Sequence, residues 1–574
     1  MILYFVLAVY AFVTRIWVAE DAYISFRYIL SMTAGHGLVF NQGERVEGFT
    51  HPYWLFLVSC LHFIGIHFHK GSIILGFFFS LFGYLLLFYD KIKKGNTIYL
   101  LPAMLVCHEG FRDFSTSGLE FSFTFFMLSL LLTRTYGKEL DSPFLIGALS
   151  SILYHTRPEM GLLLPFYFLW RIYEKRELDW NWIFRFSTSV FLFAGIYHIF
   201  RFIYFGDIFP NTFYAKSGGK SRYYDGLKYL YHFIFYSKFV LVSTVIVISL
   251  VVKDIYLNRN NNSLKSDKIR SAIHLLPLRE LLLTILIAHY IIRVGGDFMG
   301  FRLLLPYFVI FIFCMDNFFN EYYKLYFPSK NITILNIVLL LFSIGLIIEK
   351  SNYPLVDKTG IVNERKAYTK GYYNSLSEIF NGIQYDWYYK GIEFKKLQEC
   401  LGANEFVITN SITEANCNEK GFGLGYFAVG AGANVSLIDE LGLTDREVAK
   451  SGKKSTHERV GHERSISLEQ VIEKKAIFCS MEDMRYDSIM KTRYGVLLRI
   501  DKDFLSTFSK EEYKQKVSAL KKLKAELIIS NIESDKKLLA RLKRLEIVFK
   551  QEIDLIPDES SVDVGSTKEA CWKE

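Results

Sequence analysis

The segment Ala19-Glu20-Asp21-Ala22-Tyr23-Ile24-Ser25-Phe26-Arg27-Tyr28 places two adjacent acids at the end of an apolar run. At helical spacing Asp21, Ser25 and Tyr28 share one face, with Phe26, Ile29 and Leu30 on another, as in an amphipathic helix lying at a membrane interface. The acid pair would either charge the N-terminus of that helix or supply a carboxylate for proton transfer. Further polar groups follow between apolar runs: Glu47 and His51, then Ser117-Gly118-Leu119-Glu120, then His155-Thr156-Arg157-Pro158-Glu159. The last stretch, Arg293 to Arg302, includes Asp297. Ionisable groups are costly at membrane depth, so several on one side of a set of apolar runs predict a shared polar cavity.

The elements that must position these groups are membrane segments. The chain has 574 residues, of which 51% are hydrophobic and 17% aromatic, including 52 Phe and 37 Tyr. Twelve apolar runs lie between residues 1–18 and 331–348, and several are shorter than the roughly 20 residues a span needs, so tilted or broken helices are expected. The net charge of +9 sits in basic clusters between apolar runs, with no nucleic-acid signature, and reads as membrane orientation. Lys91, Lys93, Lys94, Arg134, Arg171, Lys175, Lys253, Lys324 and Lys330 would be cytoplasmic. The alternate loops and everything after about residue 350 would then face outward. That arrangement needs an odd number of crossings, about eleven, so either 52–68 or 71–89 is not a full span. Met1–Val18 lacks a basic n-region and a cleavage site, which suggests a retained first helix.

The expected fold is therefore a polytopic α-helical membrane core, 1–349, followed by a soluble α/β cap, 350–574. Strands are expected at Glu405–Thr409, Asn434–Ile438, Ala476–Ser480, Gly495–Ile500 and Glu526–Ser530, with helices at Leu468–Lys475 and Lys510–Lys524. Cys400 and Cys417 could pair if the cap is exported; no cysteine spacing resembles a zinc site. Gly421-Phe422-Gly423-Leu424-Gly425 lacks the setting of a nucleotide-binding loop.

In order along the chain, the polar strings resemble one family: Glu20–Tyr28, Gly35–Asn41, Glu44–Thr50, Ser117–Glu120, Thr156–Glu159, Pro210–Lys216, Gly295–Met299 and Leu437–Asp445. It is the GT-C glycosyltransferase family typified by the terminal arabinofuranosyltransferases of mycobacterial cell walls, some members of which are catalogued as flagellar-motor control proteins. The resemblance covers residues 20 to about 465. It implies a multi-spanning core with a periplasmic cap, a polyprenyl-phosphate sugar donor and a catalytic acid in the first outer loop, which maps onto Asp21 with Glu20 beside it. Glu20 departs from the paired aspartates common there, His51 stands where Asn is commoner, and Phe301 separates Gly300 from Arg302. Those departures leave the sugar, arabinofuranose-like or other, undetermined.

A sugar phosphate already carries its leaving group, so the chemistry needs a base at the acceptor hydroxyl and positive charge at the phosphate. Asp21 is the candidate base. Arg302 and Arg157 are the candidate phosphate clamps, because guanidinium binds phosphate bidentately, with Arg27 and His155 in support. Direct displacement would invert the anomeric centre. Glu47, His51, Glu120, Glu159 and Asp297 are candidate substrate contacts. Alternatively Arg157 and Arg302 snorkel at the interface, and Asp297 and Glu159 hold those arginines in salt bridges. Glu47 and Glu120 could instead bind a divalent cation, given enough oxygen ligands. The implied partners are the lipid donor, an envelope glycan acceptor and the bilayer, without nucleic acid; the implied place is the inner membrane with the site outside. Competing readings are a lipid-linked glycan transporter or flippase and a non-catalytic protein aiding flagellar-motor assembly.

Overall fold

A computed structural model describes residues 2–95, 97–216, 221–259, 277–326, 332–348, 353–389, 391–392, 395, 406–409, 423–439, 441–451, 464, 489–491 and 497–499. Three of its helices are long and apolar enough to cross a bilayer, Phe68–Lys93, Trp180–Phe205 and Arg302–Tyr326. A fourth would be Tyr223–Tyr236 with Val240–Leu250, bent by 88°. At 1.5 Å per residue, 25 or 26 residues reach roughly 38 Å, more than the ~30 Å of hydrocarbon. Ile2–Val13, Pro52–Phe63, Phe121–Thr135, Pro143–Tyr154 and Thr333–Ile348 are apolar but only 12 to 16 residues long. By length and composition the described residues thus hold three or four candidate spans where about eleven were expected. The run at 52–68 forms a 12-residue helix, and the run at 71–89 lies within one of 26.

The Arg302–Tyr326 helix is the axis of the bundle, with 83% of its most apolar stretch buried. Polar residues survive there because each has partners. Asp316 accepts the Leu101 amide at 2.9 Å and pairs with Lys91 at 3.0 Å. Asn320 accepts the Thr97 and Ile98 amides, both at 2.9 Å. The Asp316 bond satisfies an amide that the first turn of the Leu100–Cys107 helix would otherwise orphan, and the Asn320 bonds hold the chain entering it. Lys91, read from sequence as a loop charge, is instead buried, with its ammonium 4.1 Å from the Phe313 ring centre.

The first polar string forms the helix Glu20–Thr33, but it is not a surface helix. Glu20, Ala22 through Ile29, and Ser31 are all buried. One face carries the expected set Asp21, Ser25 and Tyr28; the other, with Glu20 and Arg27, is covered by the helix Leu424–Ala431. Gly425 allows the approach, because a Cβ there would lie 2.3 Å from the Glu20 carbonyl oxygen. The second helix follows strand β1, Phe406–Thr409, and precedes β2, Val435–Ile438, which pairs parallel with β1. Strands β3, Ile489–Lys491, and β4, Leu497–Arg499, complete a sheet of order β2-β1-β4-β3. β1, β2 and β4 coincide with expected strands; the remaining expected strands and helices, and Cys400, Cys417, Cys479 and Cys571, lie outside the described residues. Cys60, Cys107 and Cys314 are free thiols.

Candidate active site

A cavity of about 480 Å³ opens where the loops between the apolar helices meet. Each wall is fixed by a local device. Gly118, at φ +74°, lets the loop before the Phe121–Thr135 helix press against Val18, since a Cβ would come within 2.6 Å of its side chain. The Ala19 amide donates to Ser117 O at 2.8 Å and the Trp54 indole to Gly118 O at 2.9 Å, tying that loop to the start of the first polar helix. Glu120 is thereby held opposite Asp21.

The Gly295-Gly296 turn, both residues at positive φ, reverses the chain after the Leu278–Val294 helix. Phe301 then adopts φ 68°, a conformation unusual for a residue with a Cβ. Its ring is held among His108, His232 and Tyr353, at 5.1, 5.3 and 5.3 Å between centroids. That anchor offsets the strain and aims Arg302 at the cavity.

The charges interlock. Arg302 lies 3.2 Å from Asp21, 3.6 Å from Glu120 and 4.0 Å from Asp297. Arg157 lies 2.9 Å from Glu120 and 2.5 Å from Glu159. Burial alone would raise the Glu120 carboxyl, but the Arg302 and Arg157 guanidiniums outweigh it and hold Glu120 well below the usual carboxylate range. His51 bonds Ser25 Oγ at 2.9 Å through Nε2, with Nδ1 3.6 Å from Glu120. Burial pushes His51 down, favouring the neutral imidazole. Asp21 is the most open of the carboxylates, with 27% of its side chain accessible against 2% for Glu120. An accessible carboxyl group beside fixed guanidiniums is placed to take a proton from a hydroxyl, and the network can neutralise a developing phosphate.

Asp21, His51, Glu120, His155, Arg157, Glu159, Asp297 and Arg302 all line this cavity. Three candidates lie elsewhere. Glu20 turns away and accepts the Gly425 and Tyr426 amides, the latter at 3.3 Å. Arg27 spends its guanidinium on the carbonyls of Ala428, Gly432, Ala433 and Val435. Glu47 forms a buried ion pair with Arg201, 2.5 Å between Nε and Oε2, and accepts the Tyr197 hydroxyl at 2.7 Å. Arg201 and Lys216 line the cavity without having been assigned roles from sequence. Arg201 had a readable signal, a cation within an apolar run. Among the described residues no group of three or more His, Cys, Asp or Glu is disposed to hold a metal ion. The four cavity carboxylates instead share two guanidiniums, Asp21, Glu120 and Asp297 about Arg302, and Glu120 and Glu159 about Arg157.

The fold and site are those of a helical membrane protein with a charge-lined cavity, and the comparisons with known proteins sharpen that class. The chain is a distant homologue of GT-C membrane glycosyltransferases, the terminal β-(1→2)-arabinofuranosyltransferases. It is 30% identical to that of Mycobacterium tuberculosis over 38% of this chain and 38% of the relative. It is 26% identical to that of Corynebacterium glutamicum over 52% of this chain and 48% of the relative. The chain thus spans about half the length, or less, of the curated relatives it matches. No family model and no solved structure matches it.

Proposed function

We propose that the protein transfers a sugar from a polyprenyl-phosphate donor to a cell-envelope glycan on the outer face of the inner membrane. The observation that carries this reading is the meeting of Asp21 with Arg302 and Arg157 in one cavity, from segments far apart in the chain. The homology to arabinofuranosyltransferases supports glycosyl transfer. The sugar is arabinofuranose-like or another.

Asp21 accepts the proton of the acceptor hydroxyl as its oxygen bonds the anomeric carbon. The bond to the phosphate oxygen breaks, and the lipid phosphate leaves with the electron pair. A single displacement inverts the anomeric centre, so comparing the anomers of donor and product tests that step. The short apolar helices pair and tilt to complete about eleven crossings, with residues 350–574 folding outside as an α/β cap.

The test is Asp21→Asn in a purified transfer assay with a polyprenyl-phosphate sugar. The amide keeps the shape but cannot take the proton, so turnover should fall about a hundredfold or more while donor binding persists. Near-normal turnover would remove Asp21 as the base.

A further inference from the structure

The cations of the cavity are not equally available to a ligand. Arg302 and Arg157 are shared among Asp21, Glu120, Asp297 and Glu159, and Arg201 is paired with Glu47. An incoming anion must compete with those carboxylates for every guanidinium. Lys216 also lines the cavity, is exposed, and has no carboxylate in ion-pair range among the described residues.

Lys216 ends the helix Asn211–Lys216, whose placement is rigid. The Asn211 side-chain amide donates to the carbonyls of Gly442, Leu443 and Asp445 at 2.7, 3.1 and 3.1 Å. The Asn211 backbone amide donates to Glu47 O at 2.9 Å. One turn before Lys216, and so on the same face of the helix, Thr212 lines the cavity with a buried hydroxyl that has no hydrogen-bond partner. An unpaired buried hydroxyl is unfavourable unless a ligand satisfies it. Beside them Phe209 and Phe213 also line the cavity, with rings 4.6 Å apart, yet remain 40% and 48% exposed.

This one short segment therefore presents a free ammonium, an unsatisfied hydroxyl and an exposed apolar pair at a single cavity wall. We propose that Lys216 and Thr212 bind the donor's lipid-linked phosphate, a phosphodiester until the sugar leaves, on entry, with Phe209 and Phe213 against the first isoprene units. The arginines then meet the phosphate only as the glycosidic bond breaks. The proposal rests on the polyprenyl-phosphate reading of the site.

Binding of farnesyl phosphate, farnesol and inorganic phosphate to the purified full chain in nanodiscs tests it. Wild type should bind farnesyl phosphate well above both of the others. Lys216→Met should lower farnesyl phosphate affinity about tenfold or more and leave farnesol unchanged, Lys216→Arg should restore most of it, and Thr212→Val should show a smaller loss. Lys216 is exposed, so thermal unfolding of Lys216→Met should match wild type. If Lys216→Met retains the full preference for farnesyl phosphate over farnesol, the assignment is overturned and the arginines bind the donor. If wild type itself shows no such preference, the lipid-phosphate donor reading falls, and this assignment with it. Binding of inorganic phosphate as tight as farnesyl phosphate would show a free-anion site and likewise overturn it.

Discussion

Arg302 stands among three carboxylates, and its role depends on shape as well as charge. Lysine keeps the charge but cannot span Asp21 and Glu120 with one planar fork. Arg302→Lys should therefore lower kcat/KM about thirtyfold, a loss of roughly 2 kcal/mol in transition-state stabilisation; steady-state transfer kinetics would read it, and unchanged kinetics would make Arg302 a structural residue. Its neighbour Phe301 offers a separate check, because strain and packing act in opposite directions there. Phe301→Ala loses the ring, at a cost of about 3 kcal/mol, and keeps the strained φ. Phe301→Gly loses the same ring but relaxes the backbone, so it should melt above the alanine variant; the reverse order would refute the strain. The spacing of Asp21 and Ser25 made the cavity-facing side of the helix legible, since helical periodicity needs no tertiary information. The same periodicity puts Glu20 and Arg27 on a different face. What covers that face lies some 400 residues onward, and no local pattern announces it.

The elements were less legible than the side chains. Apolar runs marked the helices correctly, yet hydrophobicity alone does not separate a full span from a short buried helix, as Pro52–Phe63 illustrates. Charge alternation gave no sign that Lys91 is buried, for a related reason. Its partner Asp316 is remote in sequence, so a buried ion pair looked like a loop cation. Removing one member leaves the other charge buried and uncompensated, which costs about 3 kcal/mol or more. Lys91→Met should therefore melt well below wild type, and adding Asp316→Asn should recover much of the loss, since the amide oxygen can still accept the Leu101 amide. A double variant no more stable than Lys91→Met would show that the pair does not act as a unit.

Across the whole molecule, one carboxyl reports on how the two ends of the chain hold together. Burial, with Asp21 adding to it, pushes Glu20 up to about 8, although the Gly425 and Tyr426 amides pull the other way. A raised value means the folded state holds a proton that the unfolded state has released. The resulting stability is fully present below the ordinary carboxylate value of 4.5 and is lost as pH rises toward about 8. Wild type should thus unfold at progressively lower temperature across that window, and Glu20→Gln should flatten the trend while keeping both amide contacts. An equal slope in the variant would place the titration elsewhere. Orientation is a separate matter: alkaline phosphatase fused at residue 400 should be active if the C-terminal third is exported, and an inactive, stably expressed fusion would reverse the proposed topology.

The clamp on the Glu20–Thr33 helix also has a consequence in time. Arg27 and Glu20 are held by backbone groups of residues 425–435, separated from them by 401 to 408 positions. At about 5–20 residues per second of synthesis, the helix bearing the candidate base waits roughly 20–80 s for its covering to be made. During that interval the buried guanidinium and carboxylate have no partners from that segment, and the first polar helix to leave the ribosome is the last to be locked. A nascent chain arrested before residue 424 should therefore be cut readily by protease near Arg27, and one arrested beyond residue 500 should resist. Assembly of the site is in this way a late checkpoint: a chain broken off early carries Asp21, Arg157 and Arg302 but not the part that covers the Glu20–Thr33 helix.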